Sequence, residues 1–438
     1  MIECLRLTVA DMHVFAAETR APGPEMQRVL DTIDPAAVSD DSRLRMVELY
    51  QRCEAALAAR QQHVLAAFGY GDDPAGDHDT RGELAPLLRL SEGTVHSRLS
   101  VAEASTDTFT ATLALLAGGQ VTYWHLRALV DETQPLTPAF ALAVEARVLP
   151  KAPGQTLSEY RAAVRRAVAA VDPAGAQERM AWRVRDRAAW VKPLGDGVSS
   201  LTAVMAGDVA TAAWTRVDDL ARTTTPGDDR TLDQRRADTV ADLLLGTAPG
   251  HHQAPAARVE VTISADTLLG GDEPGELHGH GPIPAPTARA LASRQGSTWR
   301  RLVIDPHTGW LRACGEKTYR PGDWTTLLTD RIEPVPAAVP TRKPSAALDR
   351  YVKTRDVRCI FPGCRRRAKG CDLDHTTRWE HGGATSAKNL HPLCRRHHRW
   401  KDRDDVKWRL RNHENATSTW TSPTGRVYHR HPHDHRDD

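Results

Sequence analysis

A mostly helical N-terminal region, a small α+β section and a compact C-terminal module stapled by zinc is the fold class this sequence predicts, and three features predict it. Residues 26–245 are rich in Ala, Leu, Arg and Glu with apolar residues at helical spacing, the pattern becomes strand-like after residue 258, and Cys, Asp and His pairs crowd together between Cys359 and Lys401. At 438 residues and 40% hydrophobic content, the chain can bury at least two cores.

The helical region spans 1–245. Its pattern is clearest in Leu113-Ala-Leu-Leu116, Leu157-Ser-Glu-Tyr-Arg-Ala-Ala-Val164 and Leu232 through Leu245. Pro135, Pro138, Pro150, Pro153 and Pro173 interrupt it, so several medium helices are expected in place of one rod. Glu83 to Leu90, then Ser91-Glu-Gly93, then Thr94 to Leu99 has the spacing of a helix-turn-helix over 83–99, with Ser91 capping the second helix; two ordinary packed helices give the same pattern. Trp190 to Val198 reads as a hairpin, with Val198 to Met205 as its partner strand, and Gly246 to Ala257 as an exposed loop. Val259-Glu-Val-Thr-Ile263 alternates like a strand and opens the α+β section at 258–330. The Pro/Ala-rich stretch 331–348 reads as a semi-stiff linker, 349–405 as the C-terminal module and 406–438 as a basic, strand-like extension.

Cys359-Ile-Phe-Pro-Gly-Cys364 turns two thiols toward one point, and Cys394 and His397, three apart, share a face on a helix. Two local pairs with 29 residues between them suit a closed tetrahedral zinc site made of Cys359, Cys364, Cys394 and His397. Pro392 fits the first turn of that helix, and Cys371 is an alternative ligand on a strand leading to Asp374. Cys4, Cys53 and Cys314 are isolated and read as ordinary thiols. Cys371-Asp-Leu-Asp-His375 reads as a strand, Gly382-Gly383 as a turn, and Asn389-Leu390 precedes the helix. Neighbouring His397 and His398 diverge by about 100° around a helix, so one can close the zinc site while the other faces Asp374-His375.

The run Asp374-His375, Gly382-Gly383, Asn389-Leu390 and Leu393-Cys394-Arg-Arg-His397-His398-Arg-Trp-Lys401 resembles the HNH endonuclease family and its ββα-metal fold. Carried over by position, the resemblance implies that His375 activates water as general base and that Asp374 and His398 hold one divalent cation. It also implies that Asn389 ties the hairpin and orients the site. The family often has Cys where this chain has His397, a conservative departure. Mg²⁺ is the expected cation because it keeps several waters beside a sparse ligand set, with Mn²⁺ or Ni²⁺ as substitutes. Elsewhere, Arg230 to Asp238, Gly281-Pro-Ile-Pro284, Thr298 to Leu302, Asp305 to Gly309, Tyr319-Arg-Pro321 and Thr421 to Gly425 resemble the helical domain of unknown function that precedes an HNH module in many actinobacterial proteins, and that group's tail.

Charge points to DNA as the partner of the C-terminal part. Residues 351–438 hold 20 Lys+Arg against 11 Asp+Glu, a net of +9, which leaves −7 for residues 1–350 of a chain at +2. Arg365, Arg366, Arg367, Arg395, Arg399 and Lys401 are the candidate phosphate contacts, whereas the acidic half weighs against its own helix pair gripping DNA alone. Trp379, Trp400, Trp408 and Trp420 either stack on bases or complete a small core. A metal-dependent DNA endonuclease is thus the expected function. The alternative is a zinc-stapled DNA-binding or regulatory protein with a silent nuclease site. The opening residues lack a signal peptide's basic start and apolar run, and no run of eighteen apolar residues occurs, so a soluble cytoplasmic product is expected. Walker loops, dinucleotide fingerprints and nucleophile elbows are missing.

Overall fold

Small hydroxyl side chains and prolines set the helix limits. The computed structural model describes residues 9–68, 74–223, 227–247, 260–402 and 408–436, so Cys4 and most of the loop expected at 246–257 lie outside the described residues. The first half runs α1 (Val9–Glu18), α2 (Pro24–Leu30), α3 (Asp40–Ala66), α4 (Pro74–Leu88), α5 (Glu92–Asp107), α6 (Thr110–Ala117), α7 (Tyr123–Thr133), α8 (Pro138–Val148), α9 (Leu157–Val171) and α10 (Ala176–Arg185). Ser39 and Ser91 accept from the backbone N–H three residues on and so start α3 and α5, while a reciprocal Thr156 and Glu159 box starts α9. Val14, Met26, Leu30 and Leu49 pack α1 to α3 together; Leu116, Leu126, Leu129, Val144 and Val164 join α6 to α9. Full burial of each such side chain contributes roughly 1.5–3 kcal/mol.

The hairpin expected from the Trp190 segment is present as β1 (Ala188–Gly195) and β2 (Val198–Val204), antiparallel with Ala188 opposite Val204. Then come α11 (Gly207–Arg222) and α12 (Leu232–Leu245), the latter ended by Gly246 in the left-handed region at φ 67. The α+β section holds β3 (Val261–Thr262), α13 (Ala265–Leu268), β4 (Gly275–Leu277), β5 (Gly281–Ile283), α14 (Ala285–Ala292), β6 (Leu302–Ile304), β7 (Leu311–Cys314) and α15 (Trp324–Thr329). Strands β3, β4 and β5 form one antiparallel sheet, and β6 and β7 a second.

Residues 331–345 have no helix and no named strand, yet they lie against the module: Val339 N–H donates to Thr385 O at 3.0 Å and Arg342 pairs with Glu380 at 3.4 Å. Helix α16 (Ala346–Asp356), capped by Ser345, then packs Leu348, Tyr351 and Val352 against Leu311 and Cys314 of β7 and against Ala387 and Leu390. The stretch expected as a linker therefore runs between two segments that share a core, because β7 and the module cover the same helix.

The module continues with β8 (Asp372–His375), β9 (Leu390–Leu393) and α17 (Arg395–Asp402), and the basic extension forms the meander β10 (Arg409–Asn412), β11 (Ser418–Thr421), β12 (Val427–Arg430). Pro392 lies in β9 opposite Leu373, not in the helix as its spacing implied; α17 starts only after Cys394. Trp400, Trp408 and Trp420 are buried around Phe361, so core filling is their use here, while half-buried Trp379 lies beside His375 with ring centroids 6.0 Å apart. No helix among the described residues is long and apolar enough to cross a membrane.

Candidate metal centres

Two positive-φ residues shape the first centre. Val357, at φ 56, turns the chain out of α16 toward Cys359, and Gly363, at φ 74, completes the turn that brings Cys364 back. On the other side β9 delivers Cys394, whose carbonyl accepts from His398 N–H at 2.9 Å as α17 begins. The thiols of Cys359, Cys364 and Cys394 and a ring nitrogen of His397 lie within 4.8 Å of one another. His397 Nδ1 is 3.4 Å from Cys359 Sγ and 3.2 Å from Cys394 Sγ. A tetrahedral zinc with bonds of about 2.3 Å to sulfur and about 2.0 Å to nitrogen separates such atoms by about 3.5 Å, so this Cys₃His group could hold a metal such as zinc. Burial and the neighbouring thiols push the Cys359 thiol up, while hydrogen bonds from Cys359 and Cys364 hold Cys394 below the ordinary thiol value. Cys371, the alternative ligand, is buried beside the group, but its Sγ–H points to Arg367 O at 3.2 Å and the sulfur is not one of the four converging donors.

The second centre takes its helix ligand from His398, the residue after His397 on α17. Asp374, His398 and Asp402 bring one donor atom each to within 4.8 Å of one another: His398 Nε2 is 3.2 Å from Asp374 Oδ1 and 3.3 Å from Asp402 Oδ2. Burial alone would raise Asp374, but the His398 hydrogen bond and the Lys401 ammonium outweigh it and hold the carboxyl below its ordinary value. Hydrogen bonding to Asp374 raises His398. His375, next along β8, bonds Thr385 Oγ1 through Nε2 at 2.8 Å, and burial lowers its imidazole below the usual histidine value. Asn389 closes the loop between the strands, accepting from Thr377 N–H at 2.9 Å and donating to Thr377 O at 3.0 Å and Ala384 O at 2.9 Å. Gly383 is required in that loop, since a Cβ there would stand 1.8 Å from Thr377 O.

Of the proposed phosphate contacts, Arg365, Arg366, Arg367, Arg395 and Arg399 are at least partly exposed. Lys401 instead turns its side chain inward: that side chain is 7% accessible, and Nζ sits 2.6 Å from Asp374 Oδ2 and 2.6 Å from His375 O. Alternation of charge on a short helix does not say which basic residue turns inward, and the buried carboxylate captures this one. Two site residues carry weaker signals in the sequence. Asp402 is detectable only as the i,i+4 partner of His398 on α17. Thr385 has no local signal, because it reaches His375 only through the folded loop.

The model of the domain of unknown function (DUF222) matches residues 44–324. The chain belongs to the DUF222 family. It is 32% identical over 241 residues to the uncharacterized protein Rv3776 of Mycobacterium tuberculosis, covering 50% of this chain and 43% of that one. The uncharacterized protein Rv2100 of the same species is 30% identical over 253 residues, covering 50% and 44%. The chain thus spans less than half the length of these curated relatives. No solved structure matches it.

The DUF222 segment reaches the first metal centre directly. Helices α4 and α5, the pair with helix-turn-helix spacing, share a small core of Leu84, Ala85, Val95 and Leu99. A Cβ on Gly82 would lie 2.5 Å from the Trp400 ring, so only glycine lets α4 approach that closely. Glu83 accepts from Thr424 N–H at 2.8 Å, which gives the Thr421 to Gly425 tail a docking role. At the first turn of α5, Glu92 pairs with Arg396 at 2.8 Å and accepts from His397 Nε2. That end of α5 is engaged within the chain.

Proposed function

We propose that this DUF222 protein is a metal-dependent DNA endonuclease of the HNH type, built on a ββα-metal unit over β8, β9 and α17. The observation that carries the reading is the convergence of Asp374 and His398 from a strand and the following helix, with His375 next on the strand and Asn389 closing the loop. A divalent cation held by Asp374 and His398, with Asp402 as an added donor and Mg²⁺ the best match, supplies charge neutralisation at the scissile phosphate and departing oxygen. His375 accepts the proton of the attacking water. Its Nε2 is held by Thr385, so the ring is oriented and Nδ1 is the nitrogen left to take the proton. Arg365, Arg366, Arg367, Arg395 and Arg399 bind the flanking phosphates. Zinc in the Cys₃His group is a folding staple away from the reaction.

The test is incubation of the full-length protein with supercoiled plasmid in Mg²⁺, in Mn²⁺ and in chelator. Nicked or linear product should form only with a divalent cation and only with His375 intact. Failure of the wild-type protein to cut in either metal overturns the enzyme reading.

One observation favours a second reading, a zinc-stapled DNA-binding or regulatory protein whose nuclease site is silent. The protein's own cation, Lys401, already neutralises Asp374 at 2.6 Å. Under that reading the same plasmid is bound without being cut.

A further inference from the structure

Glu92 lies far from the metal ligands in sequence and belongs to the DUF222 segment, yet it touches one of them, the buried His397. His397 is 2% exposed; its Nδ1 faces the thiols and its Nε2 meets the Glu92 carboxylate. Glu92 also pairs with Arg396 at 2.8 Å, so its carboxylate meets two neighbouring residues of α17. A metal bound at Nδ1 fixes the ring proton on Nε2, and a buried N–H then needs an acceptor. Carboxylates in this position orient metal-bound imidazoles and raise their basicity.

The geometry points to Glu92 as a positioning residue for the Cys₃His metal, so that metal binding and the docking of α4 and α5 on the C-terminal module are one coupled event. With zinc in place, His397 is a fixed donor and α5 is held by its first turn. When zinc leaves, nothing ties Cys359 and Cys364 to Cys394 and His397, and the module that presents Trp400 to Gly82 loosens. The DUF222 segment thereby senses whether its partner module is metallated. By thermodynamic reciprocity, whatever pulls α4 and α5 away must weaken the metal by the same factor. This inference rests on the zinc reading of the centre and is independent of the nuclease reading.

Zinc affinity of the full chain is measured by competition with a chromophoric chelator, alongside the visible spectrum of the Co²⁺-substituted protein. Glu92→Ala should bind zinc about 10–100-fold more weakly, the usual effect of losing such a partner. Glu92→Gln, whose amide oxygen still accepts from Nε2, should recover part of the affinity and of the Co²⁺ spectrum. Arg396→Ala, which removes the other partner of Glu92 and leaves the His397 interaction, should change affinity little. Hydrogen exchange in wild type should show residues 83–99 protected with zinc and deprotected after chelation. Wild-type affinity in Glu92→Ala, or a loss in Arg396→Ala equal to that in Glu92→Ala, overturns the inference. Should Glu92→Ala not fold, exchange of 83–99 that ignores zinc in wild type overturns it. A wild-type protein that binds no zinc fails the zinc reading itself.

Discussion

Asp374 and His375 are neighbours with different surroundings, so their variants should fail differently. Asp374 faces His398 and Lys401 in a buried pocket, whereas His375 is held through Thr385. His375→Ala should leave zinc content and DNA binding intact while cutting turnover by about 10²–10⁴-fold, as removal of a positioned proton acceptor does. Asp374→Ala should also move the midpoint of the Mg²⁺ titration upward, because a charged ligand is gone. Plasmid nicking rates across a metal titration separate the two; nicking by His375→Ala at the wild-type rate places the base elsewhere. Beneath β9, Asp356 forms a buried ion pair with Arg355 at 2.6 Å and meets His391 at 3.2 Å. Burial works to raise this carboxyl, yet Arg355 and His391 bring it down to about 2. Its folded value is below the roughly 3.9 of an unfolded chain, so its contribution is complete above about pH 4 and lost as pH falls toward about 2. Thermal melts should therefore show Asp356→Asn much less stable than wild type at pH 7, with the difference narrowing through that acid window.

At the level of elements, the module is held by an aromatic core, a turn and the metal group. Trp420 is 0% exposed and meets Phe361 edge-on at 5.1 Å, so Trp420→Ala should destabilise the module by about 3–5 kcal/mol, read by denaturant unfolding. Cys364→Ser should lose zinc, by elemental analysis, and melt the module, since binding free energy is folding free energy at such sites. Gly383→Ala tests the β8–β9 loop: its Cβ must displace Thr377 O, which disturbs the Asn389 bonds. Nicking activity should drop while zinc content stays at the wild-type level.

Across the whole molecule, charge and packing divide differently. The +9 of residues 351–438 should make DNA binding fall steeply with salt, and replacing Arg365, Arg366 and Arg367 with Glu should reduce the slope by about 0.9 for each phosphate that is no longer neutralised. An unchanged slope would put the DNA on another face. The fragment 345–438 carries that charge but lacks Leu311 and Cys314, which cover Leu348 and Tyr351, and it also lacks the packing of α4 and α5 on Trp400. It should be less stable than the same module in the full chain, by hydrogen exchange of α16.

What the sequence determined by itself was local. Prolines and hydroxyl caps set the helix limits, the Trp190 segment specified a hairpin, and the spacing of Cys359, Cys364, Cys394 and His397 was enough to name a group that converges in space, because each pair is closed by a single turn. Asp374 and His398 were named through the HNH resemblance and not through spacing alone, and the fold brings one donor atom of each together with Asp402. Tertiary structure decided what depends on distant partners. Lys401 turned inward because a buried carboxylate was waiting, Pro392 became part of a strand because Leu373 lay opposite, and the stretch at 331–348 failed to separate two cores because β7 and the module cover the same helix. Glu92 is the clearest case: its neighbours along the chain mark it only as the start of a helix, and its place beside His397 exists only once α5 is docked on α17.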